Sequence, residues 1–269
     1  MRDNKISVER KKYLKKVTRN KIIIFITQIL LLVTFIAAWE ICANANIIDP
    51  FITSKPSRIL DTFMNLSQNG LLEHIGVTCF ETIIGFLSGT ILGIIVAIIL
   101  WWSNFLSKVA EPFLVVLNSL PKVALGPVII IWVGAGMPAI IVMALSISLI
   151  VTILEILNGF LSTDKEKIKM AKTFGANKFQ ILTKIVIPAN ISTFINSLKV
   201  NIGLSLVGVI SGEFLVSKAG LGYLIVYGGQ VFKLDLVMAS VIILGIVAAV
   251  MYKSVVLLEK LITKTHIIN

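Results

Sequence analysis

The sequence predicts an all-α integral membrane protein with six transmembrane helices and a cytoplasmic helix-turn-helix insertion. Three observations carry that reading. Of 269 residues, 57% are hydrophobic and only 14% are charged, where a soluble domain carries roughly 25% charged residues. The mean hydropathy is +0.94, and the apolar residues fall in long blocks rather than in the stripes of a soluble core. Third, the basic residues cluster beside those blocks. A net charge of +11 in a soluble protein points to nucleic acid; here orientation in a bilayer explains it, so no nucleic-acid partner is expected.

A hydrocarbon core about 30 Å thick needs about 20 helical residues to cross it. The first block, 21–43, opens with Ile22-Ile23-Ile24-Phe25. Its basic flank and the Ala43-Asn44-Ala45 tripeptide resemble a secretory signal, but the apolar run exceeds the roughly 7–15 residues of a signal core. An uncleaved span is expected. The second, 80–102, carries Gly85, Gly89 and Gly93 at intervals of four, a stripe suited to close helix packing within or between subunits. The third, 111–133, is interrupted by Pro121 and Pro127; the fourth, fifth and sixth are 138–157, 191–215 and 236–258.

Lysine and arginine orient these spans. Nine lie in the segment ending at Lys21, six between Lys165 and Lys184, and Lys108, Lys253, Lys260 and Lys264 join them, nineteen in all. The opposite side holds four, Lys55, Arg58, Lys218 and Lys233. The positive side faces the cytoplasm. A multi-pass protein of a bacterial plasma membrane with both termini cytoplasmic follows. Its expected parts are a basic segment 1–21, a first span with an extracytoplasmic connection 22–75, a core of five helices 76–260 with the insertion at 160–190, and a tail 261–269. Within the connection, residues 57–68 suit an amphipathic helix on the outer face that covers span ends.

The chain lacks a GxxxxGK[ST] phosphate loop, a paired nucleophile and base, and metal-ligand spacing around His74 or His266. It is read as non-enzymatic. Cys42 and Cys79 are packing residues. Ionisable groups inside spans face cavities or partners. Glu213, beside Ser211 and Gly212, is a candidate pathway residue, or else a carboxylate bonded to helix ends under the Gly220 loop. Lys122 lies where prolines free backbone carbonyls, with Asn118 and Ser119 able to line the same cavity. Lys199 can snorkel to the cytoplasmic side. Glu40, Glu81, Glu111 and Glu155 lie nearer span ends, solvated or structural. Gly220-Leu221-Gly222 makes an outer turn into a short helix, and Gly220 and Gly222 mark an extracytoplasmic loop.

The insertion holds the most specific pattern. Residues 164–174 favour a helix that stops at Gly175, Asn177 can cap a second helix over 178–186, and Pro188 closes it. Such an elbow suits docking into a groove on a cytoplasmic partner.

On these residues the chain resembles the permeases of ABC importers, whose coupling loop reads E-A-A-x3-G-x9-I-x-L-P. Ala171, Gly175, Ile185 and Pro188 match, and Ile187 replaces the usual Leu. The nitrate/sulfonate/taurine subgroup is similar in Leu120-Pro121-Lys122, Trp132-x-Gly134-x-Gly136, Gly175-Ala176, Gly212-Glu213-Phe214 and Gly220-Leu221-Gly222-Tyr223. The resemblance covers roughly residues 75–260. Two positions depart: Lys169 stands at the acidic place and Met170 at the next Ala. Glu166, three residues earlier on a neighbouring face, is a candidate substitute. The resemblance assigns ATPase coupling to Glu166, Lys169, Met170, Ala171, Gly175, Ala176, Ile185 and Pro188. It implies a homodimer with two ATP-binding subunits, which hold ATP and Mg, while this chain holds no cofactor and no metal. An extracytoplasmic binding protein would deliver a small solute, an anion such as a sulfonate, taurine or nitrate, or alternatively a heterocyclic vitamin precursor. A secondary transporter or channel without an ATPase is the runner-up, although no inverted pair of broken helices supports it. A membrane anchor leaves the elbow and intramembrane charges unexplained.

Overall fold

A computed structural model describes residues 8–68 and 70–266, which form helices joined by short turns, with no strand among the described residues. The first seven residues of the expected basic segment and the last three of the expected tail lie outside the described residues. Among the described residues, five helices are long and apolar enough to cross a membrane, and a bent pair brings the number to six. They are α1 (Val8–Asn44), α3 (Leu71–Trp102), α6 (Met137–Ser162), α9 (Ile191–Val216) and α11 (Leu234–His266), with α2 (Pro56–Gln68) between the first two. The bent pair is α4 (Asn104–Ser119) and α5 (Gly126–Val133). The elbow is α7 (Lys165–Thr173) and α8 (Lys178–Ile181), and α10 (Leu221–Gln230) precedes the last span.

The centre of the bundle is α6, held between α3 and α9. Small side chains on all three make this possible. A Cβ on Gly85 would stand 2.6 Å from the Ala144 Cβ, one on Gly93 2.5 Å from the Thr152 Cβ, and one on Gly89 would overlap the Ser148 hydroxyl. The glycine stripe therefore packs within the subunit, against a matching four-residue stripe on α6. On the opposite side, a Cβ on Gly208 would meet the Ala144 backbone at 2.5 Å and one on Gly212 the Ile140 backbone at 2.9 Å. The seam is also polar. Asn201 Nδ2 donates to Thr152 Oγ1 at 2.5 Å, and Thr152 donates to the Ser148 carbonyl at 2.8 Å.

The expected third span is not straight. Its two halves meet at 86°. Leu120 is extended (φ −64°, ψ 138°), as a residue before proline favours, and Pro121 offers no N–H to continue the helix. Residues 122–125 form a tight 3₁₀ turn before α5 restarts with Pro127 in its first turn.

Helix α1 differs from the other spans. The most apolar stretch of its spanning part has no buried residue, and it joins the bundle chiefly at its C-terminal end. There Glu40 accepts from the Ser57 amide at 3.1 Å and its hydroxyl at 3.0 Å, fastening α1 to the start of α2. The expected amphipathic helix is present as α2. Arg58 of α2 pairs with Asp235 at 2.8 Å, and Ser54 donates to the same carboxylate at 2.6 Å. Lys199 does not simply snorkel: it pairs with Glu259 of α11 at 2.7 Å.

Candidate functional site

The elbow forms where its sequence signals place it. Asp164 caps α7 by accepting from the Glu166 amide at 2.9 Å. Gly175 takes φ +80°, the left-handed conformation that ends a helix, and Ala176 N donates to the Ala171 carbonyl at 3.0 Å. Asn177 and Gln180 then make a reciprocal capping box, each bond 2.8 Å. Beyond α8, residues 182–186 form a wide turn in which Ile187 N reaches back to the Leu182 carbonyl. Pro188 cannot donate, so the register widens just before it. The helix does not close at Pro188 as expected. The break falls at Asn190, whose amide donates to the Val186 carbonyl and the Thr163 hydroxyl, both at 2.8 Å.

The two arms serve different ends. Ile181, Leu182 and Val186 of the second arm are buried with Phe160 and Ile156 in one apolar cluster, so the elbow is rooted in the bundle. Lys178 also donates to the Trp102 carbonyl at 2.5 Å. Of the predicted coupling residues, Ala171 and Ala176 pack against that cluster and Ile185 is half-buried, while Glu166, Lys169, Met170, Gly175 and Pro188 are exposed. Sequence reasoning missed Phe174 and Phe179. Phe174, next to the Gly175 turn, is 84% exposed and Phe179 is 62% exposed. Their sequence signal is a large aromatic residue inside an otherwise polar insertion. Apolar groups held outward on a rooted helix pair suit insertion into a partner groove.

The C-terminal end of α9 has the opposite character. Glu213 is buried and fully engaged: Thr78 donates to its Oε1 at 2.6 Å and the Gly222 amide to its Oε2 at 2.5 Å. The Leu221 amide donates in turn to Thr78 Oγ1 at 2.8 Å, and the Gly220 amide to His74 Nδ1 at 3.0 Å. Gly220 sits at φ +117° directly over the Glu213 carboxyl, where any Cβ would overlap it. Glu81, expected near a span end, is instead buried one turn beyond Thr78 and meets Glu213, because α3 begins nine residues earlier than expected. The arrangement is a clamp joining α3, α9 and the start of α10.

The structure does not bring the four candidate pathway residues together. Lys122 donates to the Asn118 carbonyl at 2.9 Å, and Ser119 to the Val115 carbonyl at 2.8 Å, at the exposed bend between α4 and α5. Glu213 is enclosed in the clamp. Among the described residues, no group of three His, Cys, Asp or Glu side chains converges.

Comparison with known proteins agrees with this architecture. Residues 89–265 match the family described as the binding-protein-dependent transport system inner membrane component. A probable ABC transporter permease protein of Haemophilus influenzae is 28% identical over 81% of this chain and 88% of its own length. The formylaminopyrimidine transport permease ThiX of Halalkalibacterium halodurans is 25% identical over 69% of this chain and 74% of its own. The taurine transport permease TauC of Escherichia coli is 20% identical over 87% and 88%. A solved bacterial ABC transporter involved in import of the acidic polysaccharide alginate shares the fold, with TM-score 0.64 over 94% of this chain and 99% of that one, at 16% identity. The chain belongs to the binding-protein-dependent transport system inner membrane component family and is a multi-pass permease subunit of an ABC importer.

Proposed function

We propose that this permease forms the translocation pathway of an ATP-driven importer as a homodimer, with its elbow docked into an ATP-binding subunit on the cytoplasmic side. The observation that carries the docking is the elbow itself. Phe174 and Met170 point outward from a helix pair whose second arm is anchored by Ile181, Leu182 and Val186. A rooted lever transmits a displacement into the bundle, where a loose loop would absorb it. ATP is hydrolysed in the partner, and this chain contributes the lever and the pathway. Both termini lie in the cytoplasm, as the positive-side bias directs. The expected division into a basic segment, a first span with its connection, a five-helix core and a tail stands as part of this proposal.

At the elbow, docking rests on shape and apolar contact, with Glu166 as the acidic group at the interface. At the bend, Lys122, Asn118 and Ser119 line the pathway and favour an anionic solute. Glu213, with Gly220 and Gly222, keeps the outer end of α9 in register for an extracytoplasmic binding protein. The solute is a small anion of the sulfonate or taurine class, in keeping with the resemblance of the taurine permease. A second reading, a heterocyclic vitamin precursor, draws on the formylaminopyrimidine permease.

Co-purification tests the docking. Gly175→Val forces a β-branched residue into a left-handed conformation, at a cost of about 1–2 kcal/mol, and should release the ATPase while the permease stays folded. Retention of the ATPase at the parent level would remove the elbow from the docking role. Thermal-shift screening of the cognate binding protein against taurine, alkylsulfonates, nitrate and aminopyrimidines then decides the solute.

A further inference from the structure

Between the first arm of the elbow and the cytoplasmic helix ends lies a cavity of about 430 Å³. Four lysines surround it: Lys165, Lys169 and Lys172 from α7, and Lys178 from the start of α8. With Ile168, the three α7 lysines follow helical spacing and form one face that turns toward the cavity. Glu166 and Met170, and Phe174 beyond them, run along another face and do not line it. The elbow therefore has a docking face and a separate basic face. Lys169, at the acidic position of the family pattern, belongs to the second.

Among the described residues, none of these lysines is in an ion pair. Lys178 is held by the Trp102 carbonyl and lies 5.8 Å from the centroid of the Trp102 ring, which leaves its other N–H donors free. Asp164 is occupied in capping α7. Trp101, at the end of a span, and Leu161, 44% exposed, also line the cavity. Four uncompensated cations around one cavity favour an anion, and a phosphate offers oxygens to several ammonium groups at once. An interfacial tryptophan next to exposed apolar surface places that anion at headgroup depth.

We propose that this cavity binds the phosphate of an anionic phospholipid from the cytoplasmic leaflet, with the acyl chains against the apolar surface beside Leu161. The inference rests on the cytoplasmic placement of the elbow proposed above. Its test needs neither transport nor an ATPase, so the two fail separately.

The full chain is released from nanodiscs of equal parts phosphatidylcholine and phosphatidylglycerol, and retained lipid is identified by native mass spectrometry. The pocket variant Lys165→Gln/Lys172→Gln is compared with Lys15→Gln/Lys16→Gln, which removes the same charge from α1. Phosphatidylglycerol should be enriched on the parent chain, fall about fivefold in the pocket variant and stay near parent level in the α1 variant. Equal losses in both variants would reduce the effect to net charge and overturn the site. A second arm adds millimolar inorganic phosphate to protein in phosphatidylcholine alone. A thermal shift there equal to that given by phosphatidylglycerol, and lost in the pocket variant, would assign the cavity to free phosphate and overturn the lipid.

Discussion

The two ends of the bundle treat their polar and charged groups in opposite ways. At the end formed by the C-terminus of α9, Glu213 is enclosed and its oxygens receive the Thr78 hydroxyl and the Gly222 amide, with Gly220 laid over the carboxyl. At the elbow end, the lysines stay exposed and Phe174 is left in the open. A buried carboxylate is tolerated only when its hydrogen bonds are satisfied, and once satisfied it rigidifies what it joins. An exposed aromatic residue on an anchored helix contributes little until a partner covers it. The clamp is thus a device of the subunit alone, while the elbow presents an apolar group that the proposed docking would cover.

Substitutions separate the two ends, beginning with the largest expected effect. Gly220→Val should be the most damaging, because the new side chain overlaps the Glu213 carboxyl and φ is +117°. A loss of about 3 kcal/mol or more is expected from overpacking and backbone strain together, visible as a collapse of the thermal midpoint in detergent. Parent-like stability would show that the clamp is not closed in the folded protein. Glu213→Ala follows. It leaves the Gly222 amide and the Thr78 hydroxyl without an acceptor, at about 1–3 kcal/mol for each buried group, and Glu213→Gln should recover part of the loss.

Phe174→Ala should behave differently, changing stability by less than about 0.5 kcal/mol. Its effect belongs to assembly: retention of the ATPase subunit should fall about tenfold, as for an interface anchor. A change in melting without a change in retention would invert the comparison. The smallest effect is expected for Lys199→Met. Its bond to Glu259 is 2.7 Å long but both side chains are partly exposed, so a loss below about 1 kcal/mol is expected in the same melting assay.

Much of this was legible in advance because it is encoded locally. Residues that fix φ, cap helices or stop them act on their immediate neighbours, so Gly175 and Asn177 announced the elbow and Pro121 announced an interruption. The bend of 86° was not legible. A proline states that a helix is disturbed, and the neighbours it packs against set the angle. The start of α3 was missed for a related reason. Residues 71–79 carry Glu73 and His74, which interrupt the apolar run, yet they continue the same helix, from which His74 and Thr78 bond the Gly220 loop. The glycine stripe at 85, 89 and 93 indicated close packing, but its partners on α6 lie more than fifty residues away.

Pattern alone was enough for the membrane class, the number of apolar segments, the position of the elbow and the resemblance to ABC importer permeases. Those properties depend on hydropathy, charge bias and short-range backbone preference, which each residue carries with it. Burial and pairing are relations between distant residues and emerged only when the helices were packed. Packing made Glu213 a clamp, gave Lys199 its partner, turned the α7 lysines toward a cavity and left Phe174 facing outward. A side chain's type limits what it can bond, and the surrounding helices select which of those bonds forms.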